Sequence, residues 1–323
     1  MLHSIQAWGK SHIRDPKGLI GSLSLFLFLV ALFIFFSIVS PHFLRPRNFI
    51  NILTSVSVIG IIATAMTLTI IGRGPDLTVG AIVAMAGSIQ ANLVLINGFP
   101  WYIGIIASIV IGVTVGFLNG YIIVKFNLSP FIVTLGMMNL VRGLCFVVTD
   151  GMAYFISVPG LVYLGRARWA GIPVSIIVLL ASFLIFDFIA RNTVFGRNIY
   201  ASGGNRTAAR LAGINVDRIG ISLFTISGFM AAIAGIVVVG IGGAALPNIG
   251  EAYPLDAVTA VLLGGTTLAG GSGSVRKTLL GILIIGVMNN GMALLNVQTF
   301  WQISAKGALL LAAVIIDGLR NKG

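Results

Sequence analysis

The stretch Gly264–Thr278, GGTTLAGGSGSVRKT, decides which fold this chain can adopt. A lysine and a threonine behind a run of glycines resemble a phosphate cradle in a soluble α/β domain. A phosphate loop of the form G-x-x-x-x-G-K-[ST] needs its second glycine directly before the lysine, so that backbone N–H groups can close around the phosphates. Counted from Gly271, that place holds Arg276, followed by Lys277 and Thr278. Such a loop also belongs between a strand and a helix of a soluble domain, whereas apolar runs flank this one on both sides. The stretch therefore reads as a turn between membrane helices, with Arg276 and Lys277 marking one end.

Composition leads to the same place. Only 9% of the 323 residues are charged and 57% are hydrophobic, where soluble domains carry charge on about a quarter of their residues. The net charge of +12 would suggest nucleic acid in a soluble protein. Here apolar stretches separate the basic clusters, so no continuous phosphate-tracking face is expected and nucleic acid is not an expected partner. The single cysteine, Cys145, excludes an internal disulfide, and His3, His12 and His42 have no ligand-like spacing. No metal or cofactor is expected on this chain.

Apolar runs of about 20 residues cross a hydrocarbon core of about 30 Å. Ten candidates follow: Leu19 to Val39, Phe49 to Ile71, Val79 to Ile96, Trp101 to Val124, Phe131 to Thr149, Ile172 to Ala190, Ile219 to Ile241, Ala257 to Ala269, Thr278 to Leu295 and Ile303 to Ile316. The expected fold is an all-α integral membrane bundle forming a single transmembrane domain over residues 1–323. The eighth run is short and glycine-rich and reads as a broken or re-entrant helix. With the N-terminal segment 1–18 inside, the inner segments hold fourteen lysines and arginines and the outer ones four, Arg45, Arg47, Arg166 and Arg168. Because cytoplasmic loops carry the excess of these residues, both termini are expected in the cytoplasm. The first run, at about 21 residues, is longer than a signal-peptide core and reads as an uncleaved helix.

Glycine contributes 41 residues. Gly112, Gly116 and Gly120 recur every fourth position in the fourth run, a spacing that lets helix backbones approach closely. A faint repeat relates GFLNGYIIVKFNLSPF (Gly116 to Phe131) to GVMNNGMALLNVQTF (Gly286 to Phe300). The two segments leave runs of opposite direction, as an inverted-topology repeat requires.

The longest inner loop, Arg191 to Gly220, carries more local information. Asn205 is a good N-cap, RTAARLA favours a helix of about two turns, and Gly213 is a natural stop. Arg206 and Arg210 share a face, and Ala208, Leu211 and Ala212 form an apolar patch. Such a helix can lie on the membrane or dock into a partner.

At FGRNIYASGGNRTAARLAGINVDRIG the sequence resembles the coupling segment of permease subunits from the ribose-type monosaccharide ABC importers. MTLTIIGRGPDLTVGAIVAMAG, YPLDAVTAVLLGGTTLAGGSGSV and NNGMALLNVQTFWQ agree in order and spacing. The resemblance implies a ten-helix permease of the cobalamin-importer (type II) architecture in a bacterial inner membrane. It also implies a second permease copy, the same or a close relative, a tandem ATPase subunit that uses ATP and Mg, and a periplasmic sugar-binding protein. This chain is then a transport subunit and not an enzyme. Gly203, Gly204, Asn205, Arg206, Ala209, Arg210, Leu211 and Gly213, in the coupling loop 191–218, would contact the ATPase. Two departures from the family pattern stand out: Arg73 and Pro75 flank Gly74, and Pro254 replaces a glutamate before Leu255 and Asp256.

For the solute path the candidates are Asp76, just before the third run, and the polar residues within the runs: Asn92, Asn119, Asn139, Arg142, Asn289 and Asn290. Intramembrane polar groups usually face the interior, and an asparagine offers a sugar hydroxyl both a donor and an acceptor. Hydrogen bonding between helices is the competing account for each asparagine, helix capping for Asp76, and snorkelling to the interface for Arg142. Other solutes, such as a branched-chain amino acid, a polyol or a nucleoside, remain open. A stand-alone ion-coupled carrier would want buried acids, and Asp187 and Asp317 lie near run ends, so no run centre is expected to carry a carboxylate.

Overall fold

The computed structural model describes residues 16–320. Most of the N-terminal segment, with Lys10, Arg14, His3 and His12, lies outside the described residues, as does Lys322. In chain order the helices are α1 (Pro16–Val39), α2 (Pro46–Gly72), α3 (Val79–Ala91), α4 (Trp101–Lys125), α5 (Pro130–Thr149), α6 (Pro159–Arg166) and α7 (Val174–Asn192). They continue with α8 (Val194–Gly204), α9 (Arg206–Leu211), α10 (Val216–Gly242), α11 (Tyr253–Leu263), α12 (Val275–Leu294) and α13 (Thr299–Arg320). A π-helical turn, Asn92–Ile96, extends α3. Among the described residues eight helices are long and apolar enough to cross a membrane, and Leu23–Val39 of α1 and α11 are shorter apolar helices. The chain is a multi-pass membrane protein, and each of the ten expected runs falls on a helix. The all-α expectation needs one small amendment. Two-residue strands β1 (Tyr154–Phe155) and β4 (Ala244–Ala245) pair antiparallel, as do β2 (Arg168–Trp169) and β3 (Ile172–Pro173).

Proline opens α2, α5, α6 and α11 within their first two positions, where its missing N–H costs nothing and its fixed φ suits the helix. Every residue of α2 from Val56 to Gly72 is buried. A helix apolar on all sides has no solvent face to keep, and α2 and α10 form the centre of the bundle. The glycines of α4 do what their spacing predicts. A Cβ on Gly112 would lie 2.7 Å from Ala232 Cβ, one on Gly116 3.1 Å from Thr225 Cα, and one on Gly120 2.7 Å from Ile221 Cα. The α4 backbone therefore runs antiparallel along α10 with no room for a side chain between them.

The faint repeat is also structural. Asn127 (φ 48) and Asn296 (φ 53) hold the same left-handed turn position after α4 and α12. In both, the next residue donates back five positions, Leu128 N–H to Ile123 O and Val297 N–H to Met292 O, which is a Schellman closure with asparagine in place of glycine. The α4 turn lies at the end of the bundle that carries α9, since Val124 packs on Gly220. The α12 turn lies at the opposite end, where Asn290 reaches Asn48. The two hairpins are thus inverted.

Two helices begin inside the bundle. After α2 the chain re-enters through the non-helical segment 73–78, and Gly80 of α3 packs so closely on the start of α11 that a Cβ there would collide with Gly250 O and lie 2.8 Å from Pro254 Cδ. Because α3 runs parallel to α10, with Gly235 on Ala86 and Gly87 on Val239, this meeting point is level with about Ala232. At 1.5 Å per residue that level is about 24 Å from one end of α10 and about 15 Å from the other. The eighth expected run, 257–269, is in fact a helix over Tyr253–Leu263. It spans about 16 Å, half a hydrocarbon core. It stops at Gly265 (φ 77), where Thr266 N–H closes back on Val261 O, and Gly264 beside it abuts the Thr278 backbone, 2.6 Å from where a Cβ would sit.

Candidate functional site

The Arg191–Gly220 loop contains two helices where the sequence suggested one. Thr193 caps α8, its Oγ1 accepting from Gly196 N–H at 3.0 Å. This cap was the available signal, masked by Gly196, Gly203 and Gly204, which depress helix propensity. Asn205 caps α9 as expected, Oδ1 accepting from Ala208 N–H at 3.0 Å, and Gly213 (φ 82) ends it. Asn215 then caps α10 in the same way.

Of these, α8 rests on the glycine stretch that looked like a phosphate cradle. Gly271 N–H donates to Ile71 O at 2.8 Å. A Cβ on Gly203 would collide with Ile71 O and lie 2.7 Å from Gly271 N, and one on Gly271 would lie 2.6 Å from Gly204 Cα. Three backbones, from α2, α8 and the 264–274 loop, meet without an intervening side chain. Tyr200 Oη donates to Gly273 O at 3.1 Å. Arg276 pairs with Asp187 at 2.9 Å, and Asp317 of α13 accepts from Leu268 N–H at 3.2 Å. Within the loop, Gly270 N–H donates to Thr267 O and Thr267 N–H to Ser272 O, and the anion that its Leu268 N–H meets is the chain's own Asp317. The glycines serve close packing against α8 and the end of α2.

On α9 only Ala209 is buried. Ala208, Arg210 and Ala212 are exposed, and Leu211 is 86% exposed. Arg210 pairs with Asp217 at 2.7 Å on the surface. Arg73, one of the two departures from the family pattern, sits under this helix. Burial, then repulsion from Arg206, pulls its guanidinium down to about 10. Burial and Arg210 lower Arg206 as well. Three guanidiniums thus crowd the base of α9 around Asp217.

The polar candidates divide into four groups. Asp76 and Asn119 are wholly buried. Asp76 Oδ1 accepts from Thr78 N–H at 3.0 Å, Asn119 Nδ2 donates to Thr78 Oγ1 at 2.7 Å, and Thr78 Oγ1 donates to Thr134 O at 3.2 Å. This network ties the re-entrant 73–78 segment to α4 and α5, with the Ser227 hydroxyl beside Asp76. Asn92 and Asn290 hydrogen-bond between helices. Asn92 donates to Val148 O at 3.2 Å, and Asn290 exchanges two 2.9 Å bonds with Asn48. Asn289 is half-buried, its Oδ1 without a partner. Asn139 and Arg142 share the outward side of α5. Asn139 is exposed, and half-buried Arg142 donates from Nη1 to Pro247 O (2.6 Å) and Ile249 O (2.8 Å). Two carboxylates are buried just outside the expected runs, not at their centres: Asp76, between the second and third runs, and Asp256, immediately before the eighth, which pairs with Lys306 at 2.9 Å.

Comparison with known proteins places this architecture. Residues 48–316 match the family model described as branched-chain amino acid transport system / permease component. The chain is 41% identical over 302 residues to the ribose import permease protein RbsC of Bacillus subtilis (strain 168), covering 93% of this chain and 94% of the relative. It is 38% identical over 316 residues to RbsC of Escherichia coli (strain K12), with 97% and 96% coverage. To the L-arabinose ABC transporter permease protein AraH of Azospirillum brasilense it is 36% identical over 303 residues, with 94% and 89% coverage. A bundle of apolar helices around two inverted hairpins, matched over nearly its whole length, belongs to the family of branched-chain amino acid transport system permease components.

Proposed function

We propose that this chain is the membrane-spanning permease subunit of a bacterial ABC importer for a pentose, with ribose first among the solutes of its relatives. Ten spans place α8 and α9 in the cytoplasm with both termini, and two permease copies enclose the path. A tandem ATPase docks on α9, and a periplasmic binding protein delivers solute at the opposite end. The observation that carries this reading is an exposed leucine on a six-residue helix that directly follows α8, whose C-terminal end is seated on the 264–274 loop. Closing of the ATPase dimer would displace α9 and, through the glycine junction, the loop joining α11 to α12. That displacement supplies the differential contact any two-state switch needs. Affinity isolation in mild detergent is the test. An ATPase should copurify, and the permease alone should hydrolyse no ATP. Robust hydrolysis by the isolated chain, or no ATPase in the complex, overturns the reading.

A stand-alone ion-coupled carrier is the second reading, favoured by Asp76, a buried acid with no ion pair among the described residues. Ion-gradient-driven uptake in vesicles lacking any ATPase would establish it.

A further inference from the structure

Between β4 and α11 the chain descends from one end of the bundle to the level of Gly80 through the non-helical segment 246–252. Leu246, Asn248, Glu251 and Ala252 along it are exposed. Its position is fixed by Arg142, which takes two of its carbonyls and sits seven residues, about 10 Å, inside the end of α5. Non-helical backbone at membrane depth persists only where protein buries it or where it lines a wet cavity. Protein within this chain does not bury these side chains, and a carboxylate at this depth is costly against lipid.

Two pairs of opposite charge lie near this level: Arg142 is close enough to Glu251 to feel its field, and Asp256 is paired with Lys306. Asp76, buried just before Gly80, has no ion pair among the described residues. An anionic solute would meet these carboxylates and a cationic one Arg142 and Lys306, whereas a neutral one carrying several hydroxyls meets no like charge. A carboxylate can accept from two hydroxyls, and an asparagine amide can both donate and accept.

We propose that the 246–252 segment, braced by Arg142, is the solute-contacting constriction of the path. Glu251 and Asn248 there receive the hydroxyl groups of a neutral polyhydroxylated solute. Arg142 is a positioning residue. The assignment deepens the importer reading and rests on it for the identity of the solute, though not for the presence of water along the segment.

The test uses the complete complex, with ATPase and binding protein, in liposomes. In a Cys145→Ser background, Asn248→Cys and Glu251→Cys should react with a membrane-impermeant thiol reagent, and ribose-loaded binding protein with ATP should slow that reaction. Leu184→Cys, exposed on the apolar surface of α7, should not react. Ribose imported per ATP hydrolysed should fall about tenfold in Glu251→Gln, the effect expected from weakening a charge-assisted hydrogen bond made to the moving solute. Failure of both cysteines to react in every nucleotide state, or wild-type coupling in Glu251→Gln, overturns the constriction. If instead the wild-type complex imports no pentose while both cysteines react and another polyol protects them, the constriction stands and the pentose assignment falls.

Discussion

Gly203→Ala tests the junction beneath α9 most directly. The new Cβ would overlap Ile71 O and lie 2.7 Å from Gly271 N. Both are backbone atoms, which cannot rotate aside, so α8 and the 264–274 loop must separate and the Gly271 to Ile71 hydrogen bond must stretch. Overpacking of this kind costs about 1–3 kcal/mol, offset by up to about 1 kcal/mol because alanine is the better helix former. A net loss of about 1–2 kcal/mol changes a two-state population by a factor of about 5–30. The neighbouring glycine is the control. A Cβ on Gly204 meets only Gly271 Cα, at 3.9 Å, so Gly204→Ala should be neutral or stabilising by about 0.4–1 kcal/mol. Thermal unfolding of the purified permease and solute imported per ATP in the reconstituted complex are the measurements. Gly203→Ala should melt earlier and uncouple, while Gly204→Ala should do neither. Equal behaviour of the two variants would refute the close approach of three backbones and its role in coupling.

Other outcomes follow from the same geometry. Leu211→Asp should abolish copurification of the ATPase without lowering the permease melting temperature, because the side chain is 86% exposed in the isolated chain; a melting shift as large as the binding loss would mean that Leu211 serves the fold. Asn48→Ala or Asn290→Ala alone should cost about 1–3 kcal/mol by leaving a polar partner unmet, and the double variant less than the sum of the two; strict additivity in a double-mutant cycle would exclude the reciprocal pair. Lys306→Met should destabilise by about 3–5 kcal/mol by leaving Asp256 buried and unpaired, with Lys306→Met/Asp256→Asn recovering much of it; no recovery would mean that the ion pair is incidental. Arg73→Ser should raise the melting temperature most at low salt, where like charges at the base of α9 are least screened; a gain independent of salt would place its cause elsewhere.

Several features of this protein were legible one segment at a time. The length of an apolar run, an asparagine that caps α9, a glycine that stops it and an asparagine that turns the chain after α4 and again after α12 all act over a few residues. The apolar helices, the inverted hairpins and the rejection of a nucleotide loop at Gly264–Thr278 came from such local physics. The π-turn at Asn92–Ile96 and α8 escaped because their residues have weak or glycine-depressed helical preferences, and packing overrides them. What only the tertiary structure decided is where each polar group finds its partner. Asn48 and Asn290 are 242 residues apart in sequence, and Lys306 and Asp256 are 50 apart. In a medium with little water each such group must be satisfied within the bundle, yet nothing local names the partner. The same holds for the glycines of GGTTLAGGSGSVRKT. Their number was plain in the sequence, but the backbones they let meet, Ile71 on α2 and Gly203 on α8, are fixed by the packing of helices far apart along the chain.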